Sequence, residues 1–117
     1  MIRRRNRFHG HRSVSRVRGR VVHTALFSVR CADNKRQDYR VAVVVSKKVD
    51  KRAVVRNKIR RRIYELIRTH AELTGLPVDM VVYVKSADVA SMPFEELTRQ
   101  LLRTARPLVL AIQKSLK

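Results

Sequence analysis

Acidic side chains are scarce here: nine Asp and Glu face 28 Lys and Arg in 117 residues, a formal charge of +19. Self-repulsion at that density disfavours the compact state, which excludes a purely solubilising role and points to a standing polyanionic partner. Cysteine occurs once, at Cys31. An internal disulfide is therefore excluded, and no Cys/His cluster has zinc spacing, as expected of a protein of the reducing cytoplasm. No apolar run approaches the ~20 residues of a membrane span, and the N-terminal stretch has no hydrophobic core of a secretory signal, so no membrane association is expected. Internal repeats and low-complexity linkers are also missing.

Apolar residues make up 44% of the chain and recur in periodic blocks, the composition of a folded protein. One domain over residues 1–117 is expected, with a radius of gyration of about 13 Å and a mobile basic arm over residues 1–10. Arginine outnumbers lysine 20 to 8. Guanidinium forks match phosphate oxygens and stack on bases, whereas a membrane surface needs only point charge, so the ratio favours nucleic acid. The first twenty residues carry eight arginines and no acid, superficially like an organellar transit peptide. Their charge continues into the folded part without a change in composition, which favours a basic segment of the working protein.

Val14 and Val17 predict one short helix before Gly19. VVHTALFSVR, Val21 to Arg30, reads as a strand or as two short ones joined by a bend. YRVAVVVS, Tyr39 to Ser46, follows a turn-like CADNKRQD, which predicts a hairpin whose valine run is a central strand covered on both faces. The period then changes to 3.6, predicting a helix from about Lys51 to His70 or Ala71 with Asp50 as N-cap. VDMVVYVK, Val78 to Lys85, is a buried strand. A last helix should begin with Pro93 in its first turn, bury Phe94, Leu97, Leu101 and Leu108, and be kinked or interrupted by Pro107. Strand, helix, strand from Val41 to Val84 implies a parallel crossover inside a mixed sheet.

On a helical wheel Val55, Ile59, Ile63 and Leu66 share one side, while Asn57, Arg61, Tyr64 and Arg68 line the other. Arg60 flanks that ridge, with Lys58 and Glu65 on its other flank. Arg56 and Arg62 lie near the apolar margin, where long stems cover core while their heads reach out. Between Lys47 and Arg68 stand ten bases and two acids. A solvated helix normally mixes signs in i,i+4 pairs, so this one is read as a ridge that tracks a phosphate backbone.

The residues Lys47, Lys48, Ala53, Arg56, Asn57, Lys58, Arg60, Arg61 and Glu65, in that order and spacing, resemble the RNR-type signature of the bacterial ribonuclease P protein subunit. The resemblance covers roughly residues 39 to 106, including the valine strand, the Asp-led strand VDMVVYVK and the Leu-rich final helix. It implies a two-layer α/β (α+β) sandwich, a mixed sheet of about four strands in the order α-β-β-β-α-β-α, with a left-handed crossover. It also implies a monomeric protein in a ribonucleoprotein, partnered by the catalytic RNA of ribonuclease P and by precursor tRNA, whose 5′ leader the holoenzyme removes. Catalysis and Mg2+ belong mainly to the RNA, so the protein alone is expected to be inactive.

Carried onto this sequence, the RNA-binding set is Lys47, Lys48, Lys51, Arg52, Arg56, Asn57, Lys58, Arg60, Arg61, Tyr64 and Arg68. Tyr64 stands where many relatives carry a base, which implies stacking or a phenolic hydrogen bond in place of a phosphate contact. Relatives stack leader bases on aromatics of the first helix and strands. Here Phe8, Phe27 and Tyr39 read as core or edge, so the leader is expected to be tracked electrostatically by Arg12, Arg16, Arg18, Arg20 and Arg30. No catalytic residue and no protein metal ligand is expected, because the nine acids are scattered over turns, caps and strand starts and the four histidines form no site. A ribosomal or general RNA-binding protein is the alternative, differing in its partner alone.

Overall fold

In the computed structural model, which describes residues 7, 19–34 and 38–115, the β-branched segments form four strands. They are β1 (Arg20–His23), β2 (Phe27–Asp33), β3 (Arg40–Val44) and β4 (Val78–Val84). Between β3 and β4 come α1 (Ala53–Arg68) and a single-turn α2 (Ala71–Thr74); a 3-10 turn (Ala87–Ala90) and α3 (Phe94–Ser115) follow β4. The expected helix around Val14 and Val17 lies outside the described residues, as does the expected arm over 1–10 apart from Arg7.

The stretch after Gly19 resolves into two strands. Thr24 turns the chain: its hydroxyl accepts from the Leu26 and Phe27 N–H groups and donates to the Phe27 carbonyl. A Cβ on Gly19 would collide with the carbonyl of Cys31, so glycine lets the chain enter β1 this close to β2.

The sheet order is β1-β2-β4-β3, with β3 and β4 parallel and the other pairs antiparallel. The predicted β2–β3 hairpin is therefore not formed, because β4 is inserted between its two strands. Asp79, near the start of β4, holds the arrangement: Arg40, its register partner on β3, donates to both carboxylate oxygens at 2.9 and 2.8 Å, and Asn34 donates to the same carboxylate. The connection after β2 is thereby tied across β4. The central strand is β4, almost wholly buried, and β3 is an edge strand. Val41 and Val43 are buried against the helical layer on one face, and Ala42 packs with Val81 on the other.

Alternate residues of three strands (Phe27, Val29 and Cys31; Val41 and Val43; Met80 and Val82) face one continuous core with Ile59, Ile63, Leu66 and Ile67 of α1 and Leu97 and Leu101 of α3. The α1 helix lies against β3, and α3 against β1 and β2. Burial of the Cys31 thiol in this core pushes its pKa up to about 12, so it stays a neutral, unreactive thiol. The Cα radius of gyration is 13.3 Å.

Local chemistry moves several boundaries. Asp50 does not cap α1; Arg52 occupies that position without a side-chain capping bond, and Asp50 instead accepts the Arg52 N–H at 2.8 Å from two residues earlier. The helix ends at Arg68, because Thr69 Oγ1 takes up the carbonyls of Glu65 and Leu66, and α2 is a separate turn. Pro93 precedes α3 rather than sitting in its first turn. Pro107 does not interrupt the secondary structure: α3 runs on to Ser115, with Pro107 and Arg103 both on the solvent side, where water can satisfy the carbonyl that proline leaves unpaired. Phe94 is 41% exposed and not part of the inner stripe.

The edge of β3 is closed from the side. Arg7 makes an isolated parallel bridge to Val41, and the Val43 N–H donates to the Tyr64 hydroxyl at 3.2 Å. Replacing Tyr64 by Phe removes that acceptor and should lower stability by about 1 kcal/mol in urea unfolding; an unchanged midpoint would show that water serves Val43 equally well. Ile59→Ala, at a fully buried site, should cost ~2 to 5 kcal/mol in the same measurement. A value near zero there would mean that α1 docks in a different phase.

Candidate nucleic-acid interface

Four buried residues, Ile59, Ile63, Leu66 and Ile67, fix α1 on the sheet and so fix what it turns outward. Lys47, Lys48, Lys51 and Arg52 in the preceding loop, and Asn57, Lys58, Arg61 and Arg68 on the helix, are exposed. Arg56, Arg60 and Tyr64 are half-buried.

The arginines do not do the same thing. Arg56 turns back and donates from Nη1 to the carbonyls of Asp50 (3.0 Å) and Lys51 (2.9 Å), clamping the lysine-bearing loop to the helix. Arg52 is held in a two-pronged pair with Asp50. Arg60 donates to Asn57 Oδ1 at 2.6 Å, which leaves the Asn57 amide nitrogen pointing to solvent as a donor. Arg68 pairs with Glu65 one turn back. Arg62 reaches away from the ridge, donating to the Val89 carbonyl at 2.7 Å and to that of Met92, with its guanidinium 5.8 Å from the Phe94 ring centroid. It joins α1 to the 3-10 turn and the start of α3.

Among the described residues, the side chains of Lys47, Lys48, Lys51, Lys58 and Arg61 then make no hydrogen bond or ion pair with protein. Both nearby acids are already engaged. Hydrogen bonds from the Arg52 guanidinium and its backbone N–H hold the Asp50 carboxyl down at about 2, and the Arg68 guanidinium lowers that of Glu65. No acid stands in the first turn of α1 and no side chain caps it, so the positive end of the helix dipole adds to the same field. At neutral pH this end of the molecule is a cluster of uncompensated cations.

Tyr64 stands about 60° around the helix from Arg61, and its hydroxyl accepts from the Val43 N–H, which sets it at the β3 edge rather than beside Arg61 on the outer ridge. Conversely Val54, which the wheel places near the middle of the exposed face, is 79% exposed.

The five arginines expected to meet a leader are not brought together by the described residues. Arg12, Arg16 and Arg18 lie outside them, and strand alternation sends Arg20 and Arg30 to opposite faces of the sheet. Phe27 and Tyr39 are buried, as their core reading required. The face away from α1 and α3 carries a half-buried aromatic that the sequence reading passed over, Tyr83, in register with Ser28, whose hydroxyl lies 2.6 Å from His23 Nδ1. Alternation along VDMVVYV is the signal that separates Tyr83 from the core valines. Among the described residues no three His, Cys, Asp or Glu side chains converge to hold a metal ion.

The family model for Ribonuclease P matches residues 2–108. The ribonuclease P protein component of Thermus thermophilus is 42% identical over 69 residues, which are 59% of this chain and 39% of that protein. That of Chloroflexus aggregans is 29% identical over 107 residues, 90% of this chain and 78% of the relative. The RNase P protein of Staphylococcus aureus superposes with a TM-score of 0.73 at 28% identity, covering 86% of this chain and 93% of that structure. Fold, basic helix and sequence agree, and the chain belongs to the ribonuclease P protein family.

Proposed function

We propose that this chain is the RNA-binding protein subunit of ribonuclease P, assisting a catalytic RNA in endonucleolytic removal of the 5′ leader from precursor tRNA. The observation that carries the reading is the loop and helix from Lys47 to Arg61, rigidly docked, with five cations free of protein partners and both local acids neutralised. Such a surface lowers the repulsion between RNA segments brought side by side and fixes their distance from the protein.

Within that reading ten of the eleven residues divide by role, and Tyr64 serves the β3 edge. Lys47, Lys48, Lys51, Lys58 and Arg61 meet phosphates directly. Arg52, Arg60 and Arg68 exchange their internal partners for phosphate, while Arg56 holds the loop in place and Asn57 donates to a sugar or base edge. Arg30 serves the leader on the sheet face away from α1, where Tyr83 beside Ser28 offers a flat surface, while Arg20 lies on the other face.

In this reading the reaction and its Mg2+ belong to the RNA, as the family resemblance implies. Mg2+ supplies there the charge neutralisation and activated water of metal-assisted hydrolysis, and the protein contributes cations that reduce how much of it the RNA needs. A monomer fits the +19 charge, which opposes self-association, and the buried, unpaired Cys31 suits the reducing cytoplasm.

Purified protein should leave precursor tRNA intact, and the protein with a bacterial ribonuclease P RNA should release the leader at a Mg2+ concentration at which that RNA alone is slow. Cleavage by protein alone, or no effect of protein on the RNA, would overturn the proposal. Arg61→Ala should weaken RNA binding and reduce the slope of log affinity against log salt by about 1, the loss of one phosphate contact. An unaltered slope would show that Arg61 does not face RNA.

A further inference from the structure

Val54 is the most exposed large apolar side chain among the described residues, at 79%, and stands in the first turn of α1. Of the other two, Phe94 at 41% has its ring beside the Arg62 guanidinium, and Leu110 borders a groove between α2 and α3. A single exposed valine is ordinary on a protein surface. The position of this one is not, because Lys58 and Arg61 stand at i+4 and i+7 on the same helix, Lys51 lies in the loop that enters it, and none of the three side chains has a protein partner.

Neighbours three and four apart on a helix are about 5 to 6 Å from one another, close to the separation of successive phosphates along a folded strand. A polyanion held by these three cations must lie across Val54. The side chain cannot satisfy a phosphate oxygen, and a charged oxygen pressed on two methyl groups loses water without compensation. What fits between two phosphates over an apolar patch is the nucleoside itself, a ribose face or the plane of a base that is not stacked in a duplex.

We infer that Val54 is an apolar seat for an unpaired nucleotide, so that the head of α1 recognises a single-stranded or bulged segment of its RNA rather than the phosphate edge of a continuous helix. The inference rests on the proposed ribonuclease P role and adds the class of RNA element that this surface takes.

The test is salt-dependent binding of a bacterial ribonuclease P RNA to the wild type and to Val54→Ala, Val54→Lys and Arg61→Ala, with thermal unfolding of each. Val54→Ala should lower affinity about five- to fifteen-fold, the loss of two buried carbon groups, with the salt slope and melting temperature unchanged. Val54→Lys should also bind more weakly above moderate salt, although it adds a cation. Unchanged affinity for Val54→Ala, or tighter binding with a steeper slope for Val54→Lys, would overturn the inference and leave a purely electrostatic ridge. Should Arg61→Ala also leave both affinity and slope unchanged, the RNA-facing reading of α1 fails as well, and the two failures are thereby told apart. A photo-crosslinker attached at Val54→Cys should mark unpaired nucleotides; marks confined to duplex RNA, or to protein in a cell extract, would contradict it.

Discussion

The docking of Ile59, Ile63, Leu66 and Ile67 against the sheet is the contact on which the cationic surface depends. A segment with ten bases and two acids has little reason to fold on itself, since each turn brings like charges within a few ångströms. Four buried aliphatic side chains contribute roughly 1.5 to 3 kcal/mol each, and that non-directional term holds the cations in a fixed pattern despite their repulsion. The pattern is then refined by short polar links. Arg56 clamps the loop to the helix, Arg62 ties the helix to the turn before α3, and Asp50 shapes the chain just ahead of α1.

The result is a division among residues that look alike in the sequence. Three consecutive arginines, Arg60, Arg61 and Arg62, end in an amide contact, in solvent and on two backbone carbonyls respectively. The helical period alone separated Arg61 from Arg62, because 100° per residue carries one outward and the other toward the margin. It could not show that Arg62 would find the Val89 and Met92 carbonyls, which approach from 27 and 30 positions further along the chain.

Much of the architecture was legible for the same reason: alternation and 3.6-residue periods report which face of an element is dry. They do not report lateral neighbours. The valine run of β3 looked central because it is almost unbroken in apolar residues, whereas β4 became the middle strand through Asp79 and its bonds to Arg40 and Asn34, which join distant segments. Pro107 looked like a break because the rule concerns a lost hydrogen bond; on an exposed face water can replace that bond. Phe94 looked buried because apolar residues at helical spacing usually are, yet it sits beside the Arg62 cation. On the outward face of α1, the exposure of Arg61 and Lys58 was readable from the wheel, while the placement of Tyr64 was not. At about 60° from Arg61 it could turn either way, and the proximity of the β3 edge decided it.

That choice bears on the life of the protein before it meets a partner. An edge strand of sequence RVAVV is short, β-branched and free of proline, the kind of segment on which a second chain can template by hydrogen bonding to the open backbone. Tyr64 occupies one rung of that ladder from the side, and the Arg7 bridge takes another. The phenol of Tyr64 thus acts as a gatekeeper against strand addition, so protection of the sheet edge and an outward cationic surface are built on adjoining sides of one helix.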